Sequence, residues 1–302
     1  MDLILPVGTK VVTAAETRRP DGTPRPSGAV GVVVEAPFDH THAYRVCFAD
    51  GEEAAFRRRQ ILVLKEVQKE GADGAQPAAS FADLSRFVIY RCVIGSRAYG
   101  LAGESSDYDR RGIYLPPADV QWSLFGVPEQ TESDATQECY WELRKFLVLA
   151  LKANPNVLEC LYTPIVEHET ELGEELRGLR SIFLSRLVYQ TYNGYVISQF
   201  KKLEQDIRNR AGIRWKHAMH LIRLLLSGIV VMKEGVVPVR VDEHRERLLA
   251  IRRGEVPWTE VNEWRLSLNR EFDAAYASTR LPARPDFDRA NLFLLKARRS
   301  ML

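Results

Sequence analysis

The chain has 302 residues, 45% of them apolar, with 42 basic against 40 acidic side chains and a formal charge of +2. This composition excludes a disordered chain, allows two or three domains, and makes no demand for a polyanionic partner. Four cysteines (Cys47, Cys92, Cys139, Cys160) stand far apart, without a CxxC pair or zinc-ligand spacing, and no apolar run reaches the roughly 18 residues of a membrane span. The N-terminal "MDLILPVGTK" lacks the charged leader and long apolar core of a targeting segment. A cytoplasmic protein with no membrane partner is therefore expected.

Residues 1–66 read as several short strands, "KVVTA", "AVGVVVEAP", "AYRVCF", "EAAFR" and "ILVL", divided by turns such as "RRPDGTPRPSG" and "FADGE". So many strands in so short a span predict a small antiparallel barrel. The pattern resembles the SH3-like β-barrels that accompany nucleic-acid enzymes, with either an RNA-tethering or a purely packing role. Residues 67–82, including "KEGADGAQPAAS", are rich in Gly and Ala and lack an apolar period, so they read as a linker. A mixed α/β core follows over 83–170, and apolar residues at helical spacing predict a helical bundle over 171–302. The basic runs "HRERLLAIRRG" and "LLKARRSML" within it read as solvated helix faces.

The chemistry concentrates in "VIGSRAYGLAGESSDYDRRGIYL", residues 93–115. A strand ending at Gly95 can turn into a short helix whose free N–H groups meet an anion, with Gly95 allowing close backbone approach and Ser96 adding a hydroxyl. Arg97 and Tyr99 in the same turn are further candidates for nucleotide binding. On the following strand, alternation would send Asp107 and Asp109 to one face, about 7 Å apart. Two carboxylates beside a phosphate corner are the parts needed to hold two Mg2+ (or Mn2+) ions for transfer of a nucleotide from an NTP.

Further along, "YWELRKFLVLALKANPN" predicts a core helix that stops near Asn154, ahead of Pro155, with Lys145 directed to the active cleft and Lys152 solvated. In "RWKHAMHLIRLLLSGIVVM" the residues Lys216, His220, Arg223 and Ser227 form a narrow stripe bordered by apolar residues. Such a stripe suits a helix lining a polar cleft, so Lys216, His220 and Arg223 are expected to meet phosphates. Tyr189, Tyr192 and Tyr195 read mainly as bundle core, with base stacking, favoured at Tyr192, as the other reading.

"GSRAYGLAGESSDYD" resembles the G-S-x10-D-x-D signature of the DNA polymerase β-like nucleotidyltransferase superfamily. With "ELRKFLVLALKANPNVLECLY" and "KHAMHLIRLL" it is similar to the nucleotidyltransferases associated with RNA repair, over about residues 85–300. The resemblance implies a polymerase β-like palm and magnesium-dependent transfer of a nucleoside monophosphate to a hydroxyl, most simply an RNA 3′ end. A protein hydroxyl is the alternative acceptor, and a non-catalytic nucleotide- or RNA-binding module the third reading. It also implies a third metal-binding carboxylate, assigned to Glu138 with Asp134 as the alternative, although a glutamate departs from the usual aspartate and Gln137 holds the adjacent register.

Overall fold

The computed structural model describes residues 4–19, 21–39, 42–72, 84–104, 106–133, 136–208 and 212–302. It divides into two compact units, Met1–Pro77 and Ala78–Leu302. In the first unit, β1 (Lys10–Thr13), β4 (Val30–Glu35), β5 (Tyr44–Phe48), β6 (Glu53–Phe56) and β7 (Ile61–Val63) form an antiparallel sheet in the order β6-β5-β4-β1-β7. A small ribbon pairs β2 (Thr17–Arg18) with β3 (Pro24–Arg25). Alternation buries Val11, Val33, Tyr44, Val46, Phe48, Phe56 and Ile61 on one face of the sheet. Arg25, 2% exposed, lies 3.7 Å over the Phe48 ring and donates to Glu52 at 2.7 Å. The sheet is open, with β6 and β7 at its edges; among the described residues no pairing between them closes a barrel. Helix α1 (Leu64–Ala72) takes up the first part of the expected linker, and residues 73–83 lie outside the described set.

The second unit is built on a mixed sheet in the order β10-β11-β9-β8-β12, formed by β8 (Val88–Ile94), β9 (Asp109–Tyr114), β10 (Gln130–Ser133), β11 (Glu138–Glu142) and β12 (Val166–Glu169). Strands β9 and β11 are parallel and the remaining pairs antiparallel. The ladder pairs Arg111 with Cys139 and Ile113 with Trp141, and across the next pair Cys139 with Glu132 and Trp141 with Gln130. Because alternation assigns each residue a face, Asp109, Arg111, Ile113, Cys139, Trp141, Gln130 and Glu132 share one side of the sheet, and Arg110, Tyr114, Glu138 and Tyr140 the other. Ile113 and Trp141 join the large core, whereas Tyr114 and Tyr140 pack in a smaller cluster with Leu84.

Short helices α2 (Gly95–Tyr99) and α3 (Ala118–Gln121) interrupt the strand connections. Helix α4 (Leu143–Leu151) buries Leu143, Phe146, Leu147, Ala150 and Leu151, and stops at Lys152. Asn154 caps the next helix, α5 (Pro155–Tyr162), by accepting from the N–H groups of Asn156 and Val157, with Pro155 in the first turn where its missing N–H costs nothing. After α6 (Glu171–Gly178) come α7 (Leu187–Arg208), α8 (Trp215–Glu234), α9 (Arg245–Arg253), α10 (Trp258–Ser278) and α11 (Phe287–Arg299). The apolar side chains of α8, among them Met219, Ile222 and Leu225, share one core with the sheet and with α4 and α5. Where α8 meets α10, the Phe272 ring lies 2.6 Å from where a Cβ on Gly228 would sit, so glycine sets how closely the two helices approach. No helix of the described residues is long and apolar enough to cross a membrane.

Candidate active site

The site starts at the corner between β8 and α2. Asp109 opens β9 directly opposite Ile94, the last residue of β8, and the chain then turns at Gly95 with φ +73°. A Cβ built on Gly95 would overlap the Asp109 carboxylate. Glycine is required here on two grounds, since only it adopts this backbone at low cost and only it lets the carboxylate lie against the corner. Asp107 belongs to the loop before β9, because the strand begins two residues later than alternation from the sequence suggests. Even so, Asp107 and Asp109 line the same cavity of about 390 Å³, together with Gly95 and Ser96. Across it stand Lys216 and His220 from α8 and Arg252 from α9, and Tyr99, Arg111, Gln137 and Asn156 are among the other lining residues.

Arg97 does not line this cavity. Its guanidinium donates to the Ser106 carbonyl at 2.6 Å and lies 3.8 Å over the Tyr108 ring, so it fastens the loop that carries Asp107. Tyr99 reaches beneath the corner, where its hydroxyl donates to Glu159 Oε2 at 2.6 Å while Arg223 Nη1 donates to Glu159 Oε1 at 2.6 Å. Glu159 is fully buried, Arg223 is 3% exposed, and the guanidinium lies 3.8 Å over the Tyr99 ring. Burial opposes the charge on Arg223, but the Glu159 carboxylate outweighs it and holds the guanidinium firmly protonated. Burial likewise pushes the Tyr99 phenol well above its usual range. Arg223 is thus engaged by a buried carboxylate and does not reach the cavity, in contrast to the phosphate contact that its stripe suggested.

His220 meets the Tyr99 ring edge-on at 6.4 Å between centroids. Burial, reinforced by the charges of Arg223 and Lys216, lowers its pKa to about 3, so the imidazole is neutral at physiological pH and offers hydrogen bonds without a charge. Lys216, in the first turn of α8, is exposed and has no ion pair among the described residues. It is the cation of the predicted stripe that faces the cavity. Lys145 lies instead in a neighbouring groove, paired with Glu129 at 2.8 Å.

Glu138 is not brought to the aspartates. It pairs in the ladder with Arg110 and so projects from the face opposite Asp109, where Arg110 Nη1 approaches it at 3.9 Å. Asp134 lies outside the described residues. Gln137, with φ +54°, holds the position one step earlier, lines the cavity, and accepts the Arg110 N–H through its carbonyl. Among the described residues no group of three or more His, Cys, Asp or Glu side chains is arranged to hold a metal ion, so the aspartate pair is what the cavity offers. The end of α2 is held from the helical side. Arg245 Nε donates to the Gly100 carbonyl at 2.8 Å and Arg252 Nη1 to that of Leu101 at 2.9 Å, satisfying carbonyls at a helix C-terminus with cations.

Residues 64–296 match the RNA repair pathway DNA polymerase beta family, RlaP. The chain belongs to this family. The RlaP match begins at the start of α1 and leaves out the strands of the N-terminal sheet. A curated relative, the uncharacterized protein YcgL of Bacillus subtilis (strain 168), is 31% identical over 156 residues, which are 50% of this chain. The aligned part spans 58% of that relative's length. Membership in RlaP associates the chain with polymerase β-type nucleotidyltransferases of RNA repair.

Two RlaP-region residues at the site escape a reading of the sequence alone. Glu159 sits in "NVLECLY", where a lone acid within an apolar helix signals a buried and partnered carboxylate. Arg252 lies in the run that reads as a solvated helix face, and its sequence neighbours give no sign that it bonds across 151 residues. The tyrosines of α7 serve packing. Tyr192 is fully buried, Tyr189 stacks on Tyr276 and donates to Asp273, and Tyr195 accepts from Asn154. None of the three lines the carboxylate cavity.

Proposed function

We propose that the protein is a metal-dependent nucleotidyltransferase that moves a nucleoside monophosphate from an NTP to a hydroxyl at an RNA 3′ end. The observation that carries this reading is the meeting of Asp107, Asp109, Gly95 and Ser96 in one cavity faced by Lys216, His220 and Arg252. Hard carboxylate oxygens suit Mg2+ (or Mn2+), which is commonly held by one or two carboxylates plus substrate phosphates. The close fit of the Asp109 carboxylate against Gly95 supports a site shaped for that pair. Asp107 and Asp109 would hold the metal, which when bound supplies neutralisation of phosphate charge and eases deprotonation of the attacking hydroxyl.

The chain's own residues do the positioning. The N–H groups and hydroxyl of the Gly95-Ser96 corner bind the terminal phosphates, and Lys216 and Arg252 balance their charge. The neutral His220 can donate to a phosphate oxygen without competing for protons. Attack of the acceptor oxygen on the α-phosphorus forms a new P–O bond, breaks the bond to pyrophosphate, and leaves the charge on pyrophosphate, next to those cations. Family membership in RNA repair supports RNA as the acceptor.

Incubation with each of four α-labelled ribonucleoside triphosphates, magnesium, and a short RNA with a free 3′-hydroxyl should label the RNA. Asp107→Asn and Asp109→Asn should each lower the rate by at least about a hundredfold, the scale of losing one preorganised electrostatic group. Label that appears on protein instead of RNA would replace the acceptor, and rates equal to the parent's in both variants would remove the aspartates from the reaction.

A further inference from the structure

The carboxylate cavity continues into a second groove of about 410 Å³, and Arg111, Gln137 and Asn156 line both. The floor of this groove is the same sheet face that carries Asp109, read outward from β9 to the edge strand: Arg111, then Cys139, then Glu132, with Trp141 beside Gln130. Helix α4 and the start of α5 roof it through Lys145, Leu149 and Asn154. Glu132 is held in place by a series of side-chain bonds. The indole N–H of Trp141, a residue only 7% exposed, donates to Gln130 Oε1 at 2.8 Å, and Gln130 Nε2 donates to Glu132 Oε1. The carboxylate at the end of this series is thereby orientated, and among the described residues it forms no ion pair.

The polarity of the combined cleft follows from its lining. Lys216 and Arg252 stand at the aspartate end, whereas the groove is lined by Gln130, Gln137, Asn154, Asn156, Glu132 and Glu138; its lysine, Lys145, is paired with Glu129, and Arg111, shared with the aspartate end, donates to the carbonyls of Arg110 and Gln137. A triphosphate fits the first end and an uncharged, hydrogen-bonding body the second. Two strand spacings of about 4.8 Å and two residues of about 3.3 Å put the backbone of Glu132 about 12 Å from that of Asp109, which matches the reach from an α-phosphate to the far edge of a purine. The groove volume is that of a small-molecule site.

We propose that this groove is the nucleobase subsite of the proposed nucleotidyltransferase site, and that Glu132 selects guanine. The inference rests on the nucleotidyltransfer reading. Guanine is the base whose Watson–Crick edge places an imino and an amino N–H side by side, and a carboxylate accepts from both. Adenine and cytosine present one such donor next to an acceptor, and uracil presents one donor between two acceptors, so each would set a lone pair against Glu132. The oxygen that accepts from Gln130 also takes a long, weak bond from the Cys139 thiol at 3.9 Å, which a guanine N–H would displace.

The test is calorimetric binding of GTP, ATP, CTP and UTP, each with magnesium, to the full chain and to Glu132→Gln and Glu132→Ala. Glu132 is exposed on an edge strand, so both variants should keep the unfolding temperature of the parent, which is measured alongside. The expected result is GTP bound at least about tenfold more tightly than the other three, an advantage lost in both variants while ATP, CTP and UTP change by less than about threefold. Equal binding of all four, preference for another base, or a GTP preference that persists in both variants would overturn the subsite and leave the transfer reading standing. Failure of every triphosphate to bind would overturn both.

Discussion

Gly95 and Asp109 form one unit because the carboxylate occupies the volume that a side chain at Gly95 would need. Gly95→Ala must move that carboxylate and also strain a backbone at φ +73°, a combined cost of about 1–3 kcal/mol. In an Asp109→Ala background the overlap with the carboxylate is relieved, leaving the backbone strain and a tight Cβ contact of 3.3 Å, so the same substitution should cost less. A double-mutant cycle on thermal unfolding measures this difference, and strict additivity would show that the contact has no energetic weight. His220 makes a second residue-scale prediction. The imidazole titrates near 6.5 in the unfolded chain and near 3 in the folded one. Between those values only the unfolded state takes up the proton, so this contribution to stability is complete above pH 6.5 and falls as the pH drops toward 3, by about 1.4 kcal/mol per unit. Denaturant titrations from pH 7 to pH 4 should show the slope in the parent chain and a shallower one in His220→Gln.

At the scale of elements, Glu159 joins α2, α5 and α8 through one buried carboxylate. Removing one partner leaves a charge without compensation: Glu159→Gln or Arg223→Leu should each destabilise by about 3–5 kcal/mol, and the double variant by less than the sum. Equilibrium unfolding of the three variants checks this, and additive losses would mean that the pair does not act as a pair. Much of this level is legible in the sequence. The helical period gives α8, Pro155 marks the break between α4 and α5, and the ten-residue gap from Gly95-Ser96 to Asp107 announces the corner. Which residue covers a polar stripe is not legible, because periodicity assigns Arg223 a helix face but not the carboxylate, 64 residues away, that lies against it. The side taken by Glu138 is hidden for a similar reason. It depends on the first residue of β11, fixed by a left-handed Gln137 that no composition signal marks.

For the whole molecule, every residue of the candidate site belongs to the unit Ala78–Leu302, whose apolar core contains no residue from the N-terminal sheet. A chain of residues 78–302 should therefore fold cooperatively and keep nucleotide binding within about threefold of the full chain, as expected for a domain with its own core. Calorimetry of the full chain should resolve two transitions, one of which the shorter chain reproduces. A single transition, or an unfolded fragment, would show that the two cores depend on each other. The short strands and turns of residues 1–66 are legible as a β unit from their spacing. Closure of that sheet is not, because it depends on pairing between edges distant in the sequence.

The ladder between β9 and β11 also bears on how such a site can change by descent. A strand has only two sides, so gain or loss of one residue in the segment before Glu138 would turn its carboxylate toward Asp109 and, by the same movement, turn Trp141 and Cys139 out of the core. The indel that would deliver a third acid to the cavity would thus also expose an indole, and the burial of one tryptophan works as a ratchet against that path. Replacement of a side chain already on the inner side, such as Gln137 or Cys139, remains the accessible route to a third carboxylate.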